Sequence, residues 1–381
     1  MRFLVWGAGK IGRGFVADIM REGGQFVDFV DIDEGLVERL NARGRYSIYK
    51  ADESGVRTEI VEGGFCAHLA SDDLTALFLG DEVCVDVAVF KDDLPAVADA
   101  IAPYIALRDR EMPCSQMNII VNVNMTSPEH AFRRMLEERL EGAARRYLDR
   151  NVGVSGIFMM CISPDAKPEM LEADPLAVYN NGFFEQAVAR EAFVGNPPSA
   201  PRLRLSDRLE AEEARKLYTL NMAHCAVAYL GMPMGLGTSL QAIRNPEIEK
   251  VVTDALSEAA VGLSGAYGFT DGEMKSWSEI ILSLLRNPHM VDPLWRLGAD
   301  TRRKLARADR LVTPAHLCLK HGGTPFALAR IIRAGYDFTN DDPGTRHVRG
   351  LVETMGLDGA VRAVSGLAED DVLYHMIIEE E

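Results

Sequence analysis

Residues 216–224, KLYTLNMAH, place an amine, a carboxamide and an imidazole within nine positions of the chain. The apolar spacing predicts one helix, on which Asn221 lies about 140° and His224 about 80° around the axis from Lys216. A desolvated lysine can accept a proton, while an Asn amide and an imidazole N–H can hold a carbonyl or alkoxide oxygen. These residue types therefore indicate proton transfer at an oxygen atom. The alternative is a helix edge with a solvated Lys216, a capping-type Asn221 and a His224 in the core.

Size and charge limit the classes of partner that the protein can have. A chain of 381 residues, with 47% hydrophobic and 26% charged residues, is long enough to form two domains. Its net charge of −16 argues against nucleic acid and anionic membranes, because an acidic surface repels phosphate groups. We therefore expect a small-molecule partner, and an anionic one would need a local basic pocket.

The cysteines and the N-terminus bear on the cellular compartment. The six cysteines are scattered singly and form no CxxC pair, which predicts buried thiols in a reducing compartment. The N-terminal apolar run is too short for a signal peptide, and no stretch approaches the roughly 18 apolar residues of a membrane span. The sequence therefore predicts a cytoplasmic protein.

The N-terminal segment FLVWGAGKIGRG is an apolar strand that breaks into glycines and then begins a helix. In this context Gly7 is predicted to allow a tight turn, Gly9 to let the backbone approach a pyrophosphate, and Gly12 to permit close packing of helix and strand. Lys10 and Ile11 lie between these glycines and are predicted to contact the same ligand. The segment thus has the pattern of a dinucleotide-binding loop, with free N–H groups at the helix start for the phosphates.

A second apolar strand follows and ends in Asp31, nineteen residues beyond Gly12. An acid at this place is expected to accept hydrogen bonds from the adenosine ribose hydroxyls. With Asp33 close behind and no arginine between them, it would repel a 2′-phosphate, so the sequence favours NAD over NADP. The alternative is that Asp31 only caps the helix predicted over residues 34–43.

Further apolar runs complete the pattern of a doubly wound sheet. Residues 83–90 and 117–125 are predicted strands, and the alternating runs RYSIYK and VRTEIV predict a hairpin attached to that sheet. Ligands bind at the carboxyl ends of such strands, which makes Asn122 and Asn124 candidate contacts. Two residues apart on a strand, they should point to the same face. The alternative is that both satisfy backbone groups of the loop.

The segment GNPPSAP, residues 195–201, is the best linker candidate. Beyond it the sequence is almost wholly helical in pattern, with helices predicted over residues 209–230, 246–267, 275–286, 313–321, 325–334 and 344–381. The predicted fold is therefore an α/β Rossmann-type domain with extra strands, residues 1–200, followed by an all-α domain, residues 201–381.

Residues 297–311, LGADTRRKLARADRL, are strongly basic within an acidic protein. Four of their cations, Arg302, Arg303, Lys304 and Arg310, are candidates for binding a substrate phosphate. The alternative is a solvated, charged helix face. No metal site is predicted, since the nearby His316, Cys318 and His321 do not have zinc-site spacing and no HExxH or CxxC is present.

Taken together, these motifs resemble the polyol-specific long-chain dehydrogenases, and the resemblance covers nearly the whole chain. It is carried by the segments GAGKIGRGF, FVDID, NVNM, DPLAV, KLYTLNMAHCAVAYLG, NPEIEKVV and RKLARADRL. The resemblance implies metal-independent hydride transfer between NAD and a polyol phosphate, by a monomer or weak oligomer. It implies that Lys216 is the general acid/base and that His224 positions the substrate. It also implies that Asn124 and Asn221 hold the reacting oxygen.

One segment departs from the pattern of this family. Where the family carries a VDRIVP-like sequence, residues 159–165 read MMCISPD and contain no arginine. This departure keeps a free polyol or a hexuronate open as the substrate. An alternative of another class is a dinucleotide-binding sensor or assembly protein without catalysis, against which the set of Lys216, Asn221 and His224 argues.

Overall fold

The computed structural model describes residues 1–125, 127–182 and 186–379. The chain divides into two compact units, Met1–Leu209 and Glu210–Glu381. Within the described ranges all strands lie in the first unit, and the second is built from helices. The predicted fold class, a Rossmann-type domain followed by a helical domain, is confirmed.

The regular elements of the first unit alternate between strands and helices in the order typical of an α/β domain. They are β1 (Arg2–Trp6), α1 (Ala17–Glu22), β2 (Val27–Asp31), α2 (Glu34–Arg43), β3 (Arg45–Asp52), β4 (Gly55–Glu62), β5 (Phe65–Leu69), α3 (Thr75–Phe78), β6 (Glu82–Val87), α4 (Leu94–Glu111), β7 (Gln116–Val121), α5 (Pro128–Arg139), α6 (Gly142–Asn151), β8 (Val152–Met159), α7 (Pro168–Ala173), β9 (Val178–Asn180), β10 (Gln186–Ala189) and β11 (Leu203–Ser206).

The main sheet has eight strands among the described residues, in the order β11-β10-β8-β7-β6-β1-β2-β5. Strand β1 lies between β2 and β6 and is parallel to both, so the chain winds outwards in both directions from it. Strand β10 is antiparallel to β8, and β11 pairs in parallel with β10. The sheet therefore continues past residue 200, where the sequence places the domain boundary.

Both faces of the central strand are buried, which explains its uninterrupted apolar sequence. Phe3 and Val5 pack on the face covered by the first helix, together with Ile19. Leu4 and Trp6 pack on the opposite face, which helix α4 covers. This burial fixes the register of β1 and so places the glycines that follow it at the carboxyl edge of the sheet.

The predicted hairpin forms, but its predicted attachment to the main sheet is wrong. Strands β3 and β4 pair antiparallel, and β3 also pairs in parallel with β9, which gives a separate three-stranded sheet. The buried Lys50 of β3 forms a 2.8 Å ion pair with Asp18 of α1. This contact attaches the small sheet to the first helix, and no periodicity in the sequence could reveal it.

The C-terminal part of the chain consists of helices joined by short connections. They are α8 (Leu209–Tyr218), α9 (Leu220–Gly231), α10 (Ser239–Ile243), α11 (Pro246–Tyr267), α12 (Asp271–Arg286), α13 (Leu294–Gly298), α14 (Thr301–Lys304), α15 (Val312–Lys320), α16 (Phe326–Asp337), α17 (Pro343–Ser365) and α18 (Val372–Ile378).

Two of the predicted long helices are divided in the structure. The helix predicted over residues 209–230 breaks at Thr219, which separates α8 from α9. The helix predicted over residues 344–381 has non-helical backbone at Gly356 and ends at Gly366, whose left-handed conformation stops α17. The first break falls inside the stretch that carries the predicted catalytic residues Lys216 and His224.

All six cysteines are free thiols, as the absence of paired spacing predicted, but they are not uniformly buried. Cys84, Cys225 and Cys318 are buried, whereas Cys114 is exposed. Of the helices in the part of the chain that the structure describes, none has both the length and the apolar character needed to cross a bilayer.

Candidate active site

The glycine loop after β1 has three glycines in three different environments. Gly7 has φ +103°, and a Cβ there would lie 2.3 Å from the carbonyl oxygen of Ala88. A Cβ on Gly12 would lie 2.0 Å from the carbonyl oxygen of Gly7, whereas a Cβ on Gly9 would meet nothing within 4 Å. The first and last glycines are thus needed to close the loop, while the backbone at Gly9 faces open space. This arrangement fits a pyrophosphate, which needs close access to backbone N–H groups.

Asp31, at the end of β2, is hydrogen bonded to the glycine loop. Its Oδ2 accepts from the backbone N–H of Ala8 at 2.7 Å, and its Oδ1 accepts from the N–H of Asp33 at 3.0 Å. The helix that follows is capped by Asp33, which accepts from the N–H of Leu36 at 2.9 Å. The capping role considered for Asp31 therefore belongs to Asp33.

Arg13 contacts the glycine loop through its guanidinium, a role that no motif in the sequence predicted. It is buried and donates to the carbonyl oxygen of Ala8, while its own carbonyl oxygen accepts from the Tyr46 hydroxyl at 3.2 Å. Burial lowers the pKa of the Arg13 guanidinium from its ordinary value. Because Arg13 is buried and donates to a backbone carbonyl of the loop, we infer that its function is structural.

Lys10 of the glycine loop forms an ion pair with Asp165, 155 residues further along the chain. The distance from Nζ to Oδ1 is 2.9 Å, and Asp165 is 96% exposed. The hydrogen bond from Lys10 lowers the pKa of the Asp165 carboxyl. Asp165 is the acid that ends the divergent segment MMCISPD, so this segment contacts the predicted cofactor loop. Ile11, the other loop residue predicted to bind the cofactor, is half-buried.

Asn122 and Asn124 do not share a strand, because β7 ends at Val121 rather than at residue 125. The chain turns here, with the N–H of Met125 bonded to the carbonyl of Val123 at 2.9 Å. Asn122 is buried and Asn124 is exposed, so the prediction that both point to one face is wrong. Of the two, only Asn124 is accessible for contact with a small molecule.

In the second unit, the break at Thr219 places Lys216 and the other two predicted catalytic residues on different helices. Lys216 lies in the last turn of α8, whereas Asn221 and His224 lie in the first two turns of α9. All three are half-buried. The angles predicted for one continuous helix do not apply across the break, but Asn221 and His224, three residues apart on α9, still share a face.

The environment of His224 keeps its imidazole neutral. Burial lowers the pKa of His224 to about 4, against the opposing influence of Asp292. Arg310, Arg296 and Lys304 lower this pKa further by their positive charge. A neutral imidazole carries one donor and one acceptor nitrogen, so His224 can hold a substrate hydroxyl group without supplying charge.

The basic cluster predicted to bind phosphate separates into two parts. Arg302 and Arg303 are exposed, and Arg303 pairs with Asp300 at 2.9 Å. Lys304 is buried, and its Nζ donates to the carbonyl oxygen of Leu297 at 2.7 Å. Arg310 is largely buried beside Asp309, at 2.7 Å. Only Lys304 and Arg310 are among the charges that act on His224.

Asp292 and Arg296 also belong to this neighbourhood, although no motif in the sequence marks them. They precede and enter α13 in the segment VDPLWRLG, and they form an ion pair with each other. Their pattern resembles any exposed i, i+4 pair, so only the fold reveals that both charges act on His224. Within the described ranges, no three His, Cys, Asp or Glu side chains meet in a way that could hold a metal ion.

Comparison with known proteins gives matches over both units. The mannitol dehydrogenase Rossmann domain matches residues 1–201, and the mannitol dehydrogenase C-terminal domain matches residues 208–350. A mannitol-1-phosphate 5-dehydrogenase from Bacillus velezensis is 32% identical over 379 residues, which is 99% of this chain and 98% of that protein.

Two solved structures share the fold at low sequence identity. D-sorbitol dehydrogenase in substrate-free form has a TM-score of 0.83 at 13% identity and covers 100% of this chain and 92% of its own. Mannitol 2-dehydrogenase from Pseudomonas fluorescens, in a ternary complex with NAD and D-mannitol, has a TM-score of 0.65 at 16% identity. That match covers 96% of this chain and 86% of its own.

Proposed function

The chain belongs to the mannitol dehydrogenase family, and from this premise we propose that it is an NAD-dependent polyol dehydrogenase that interconverts mannitol 1-phosphate and fructose 6-phosphate. The observation that carries the choice of a phosphorylated substrate is the 32% identity, over 99% of the chain, to a mannitol-1-phosphate 5-dehydrogenase, and Lys304 and Arg310 are the cations of the basic cluster whose charges act on His224. In a protein of net charge −16, this pair supplies local positive potential for a dianion next to a predicted catalytic residue.

The cofactor is NAD, held by the glycine loop and Asp31. The open space at Gly9 leaves backbone N–H groups accessible to the pyrophosphate, and Lys10 stands beside them. The carboxylate of Asp31 accepts from ribose hydroxyls and repels a 2′-phosphate. When bound, the cofactor would accept hydride as NAD⁺ during oxidation of the polyol and would donate hydride as NADH during reduction of the ketose.

Lys216 is the general acid/base. In oxidation, its neutral amine takes the proton of the reacting hydroxyl, and in reduction its ammonium returns that proton to the carbonyl oxygen. Asn221 donates its amide N–H to the same oxygen as negative charge develops there, a role worth about 3 to 4 kcal/mol in comparable sites. Asn124 is assigned the second such amide by the family resemblance.

His224 orients the substrate as a neutral hydrogen-bonding group, since its lowered pKa keeps it uncharged at physiological pH. Its neutrality has a chemical consequence. A protonated His224 would add to the positive charge of Lys304 and Arg310. This added charge would oppose protonation of Lys216. With His224 neutral, the phosphate is recognised by the cations and the polyol hydroxyls by uncharged groups.

The deciding experiment measures NADH oxidation with fructose 6-phosphate, fructose and fructuronate. We expect kcat/KM for fructose 6-phosphate to exceed that for fructose by about 100-fold or more, the equivalent of one or two charge-assisted hydrogen bonds. Equal rates with fructose would identify a free-polyol dehydrogenase, and a preference for fructuronate a hexuronate reductase. Tight NADH binding without turnover of any of the three would favour the non-catalytic alternative.

The mechanism proposed for Lys216 needs no metal ion. Exhaustive dialysis against EDTA is therefore expected to leave the rate with fructose 6-phosphate unchanged. A rate that disappears on chelation and returns with added zinc would contradict the assignment of Lys216 and replace it with Lewis-acid chemistry.

A further inference from the structure

The helix break between Lys216 and Asn221 falls at a residue that is neither proline nor glycine. Helices usually kink at proline, at glycine or where a side chain inserts into the hydrogen-bond ladder, and KLYTLN contains neither proline nor glycine. Thr219, which is fully buried, has φ −125° and ψ −72°, outside the helical region. Its hydroxyl donates to the carbonyl oxygen of Arg215, one turn earlier. A threonine side chain that bonds to the carbonyl one turn earlier in this way often bends a helix.

The hydroxyl of Thr219 is itself held by a residue far away in the sequence. The indole Nε1 of Trp277, on α12, donates to Thr219 Oγ1 at 2.9 Å. The hydroxyl accepts from Trp277 and donates to Arg215, so its rotation is fixed by two partners in a buried environment. A residue of α12 is thus hydrogen bonded to the position at which α8 ends.

Trp277 also holds the side chain that precedes Lys216. The guanidinium of Arg215 lies 4.0 Å from the centre of the Trp277 ring and 4.8 Å from that of Phe269. It also forms an ion pair with Glu212, and both charged groups are buried. Trp277 thus contacts the side chain of Arg215 directly and its carbonyl through Thr219, and the next residue is Lys216.

We infer that Thr219 and Trp277 are positioning residues, which set the orientation of Lys216 relative to Asn221 and His224. The inference rests on the proposed role of Lys216 as general acid/base. Asn221 and His224 follow the break on α9, whereas Lys216 precedes it on α8. The geometry of the break therefore decides whether the amine reaches the oxygen that Asn221 holds. A displacement of about 1 Å between catalytic groups lowers rates by about 100-fold.

The test compares Thr219→Val, which removes the hydroxyl at nearly constant volume, with Thr219→Ser, which keeps it. Trp277→Phe removes the indole N–H and keeps an aromatic ring beside Arg215. We expect Thr219→Val and Trp277→Phe to lower kcat for fructose 6-phosphate by about 10- to 100-fold, with KM and the Kd of NADH nearly unchanged. Thr219→Ser should retain most of kcat.

The double variant Thr219→Val/Trp277→Phe tests whether one hydrogen bond carries the effect. If it does, the double variant should be no slower than the slower single variant, since both changes remove the same bond. Effects that multiply would mean that the two residues act separately, and the inferred device would be wrong. A normal kcat in Thr219→Val would also contradict the inference. A KM that rises in proportion to the fall in kcat would contradict it as well.

A second readout does not depend on the substrate. Competitive acetylation of lysines across a pH series, followed by mass spectrometry of the Lys216 peptide, reports the reactivity of that amine directly. We expect the Lys216 profile to shift in Thr219→Val and to match the unmutated protein in Thr219→Ser. If no sugar is turned over, the proposed function is wrong. The shift of the Lys216 acetylation profile still tests whether Thr219 positions Lys216. An unchanged profile in both variants would overturn it.

Discussion

The backbone N–H of Ala8 donates a 2.7 Å hydrogen bond to Oδ2 of Asp31, which joins the glycine loop to the end of β2. Strands β1 and β2 are parallel neighbours, so their carboxyl ends lie side by side. Each carboxylate oxygen has two acceptor sites, and the bonds from Ala8 and Asp33 use one on each. Asp31 can therefore maintain the shape of the loop and accept from a ribose at the same time.

Replacing Asp31 by serine should weaken NAD binding and narrow the preference for NAD over NADP. The loss of NAD affinity is expected to be about 10-fold or more, because both the ribose acceptor and the loop contact are weakened. Fluorescence titration with the two reduced cofactors measures this. Asp254→Ser, which removes an exposed carboxylate of α11 that pairs with Lys250, is the control for the loss of one negative charge and should leave both affinities unchanged. Equal affinity for both cofactors in the unmutated protein would remove Asp31 from its assigned role.

Asp86 gives a prediction about stability and pH. It is fully buried on β6, close to the side chain of Asn122. Burial raises the pKa of Asp86 to about 8, an effect that the nearby Asn122 partly offsets. The folded state therefore keeps a proton that the unfolded chain releases near pH 4. Between about pH 4 and pH 8, the free energy of unfolding should fall by up to about 1.4 kcal/mol per pH unit through this group.

The variant Asp86→Asn cannot ionise and should lack this dependence. Urea unfolding from pH 5 to pH 9 should show the variant gaining stability relative to the unmutated protein as pH rises, with the gap becoming constant above about pH 8. Asp92→Asn, at an exposed position before α4, is the control and should leave the curve unchanged. If the free energies of unfolding of Asp86→Asn and of the unmutated protein change in parallel with pH, Asp86 is ionised in the folded protein.

The basic cluster should separate in function as it does in structure. Arg310→Ala is expected to raise KM for the phosphorylated sugar by about 10- to 100-fold with little effect on turnover of free fructose. Arg302 and Arg303 are exposed, so their replacement by alanine should have a smaller effect. Arg349→Ala, an exposed arginine of α17 paired with Glu353, is the control for net charge. If KM is unchanged across the whole cluster, none of these residues binds the phosphate, and Arg302 and Arg303 belong to a solvated face.

Local sequence signals predicted the elements that depend on local physics. Helix α11 begins after the Asn245 cap and ends at Gly268 in the left-handed conformation, as residues 246–267 predicted. The sequence also predicted the strands β1 and β2 and the glycine loop after β1. Strands buried on both faces have continuous apolar sequences, which contrast with the polar and glycine residues that follow them.

The sequence could not predict features that depend on distant partners. Thr219, where the helix breaks, accepts a hydrogen bond from Trp277, 58 residues away, and the contact of Lys10 with Asp165 spans 155 residues. The end of β7 was misplaced because NVNM continues the alternating pattern after the strand pairing stops. Such features follow from tertiary packing, so a single sequence without its fold does not contain a local signal for them.

The decisive variant for the proposed chemistry is Lys216→Ala. It should fold and still bind NADH, because the glycine loop and Asp31 belong to the first unit. Loss of a general acid/base typically lowers the rate by about 10²- to 10⁴-fold, and the loss should appear in kcat rather than KM if the contact matters mainly in the transition state.

Chemical rescue separates Lys216 from its neighbour. A small primary amine added to Lys216→Ala should restore part of the rate, in proportion to the concentration of its free base. Asn221→Ala should also be slow, but amines should not rescue it, because its amide donates a hydrogen bond and takes no proton. If Lys216→Ala retains a near-normal kcat across the pH range, Lys216 is not the proton acceptor. The role of residues 216–224, at the junction of α8 and α9, would then be structural.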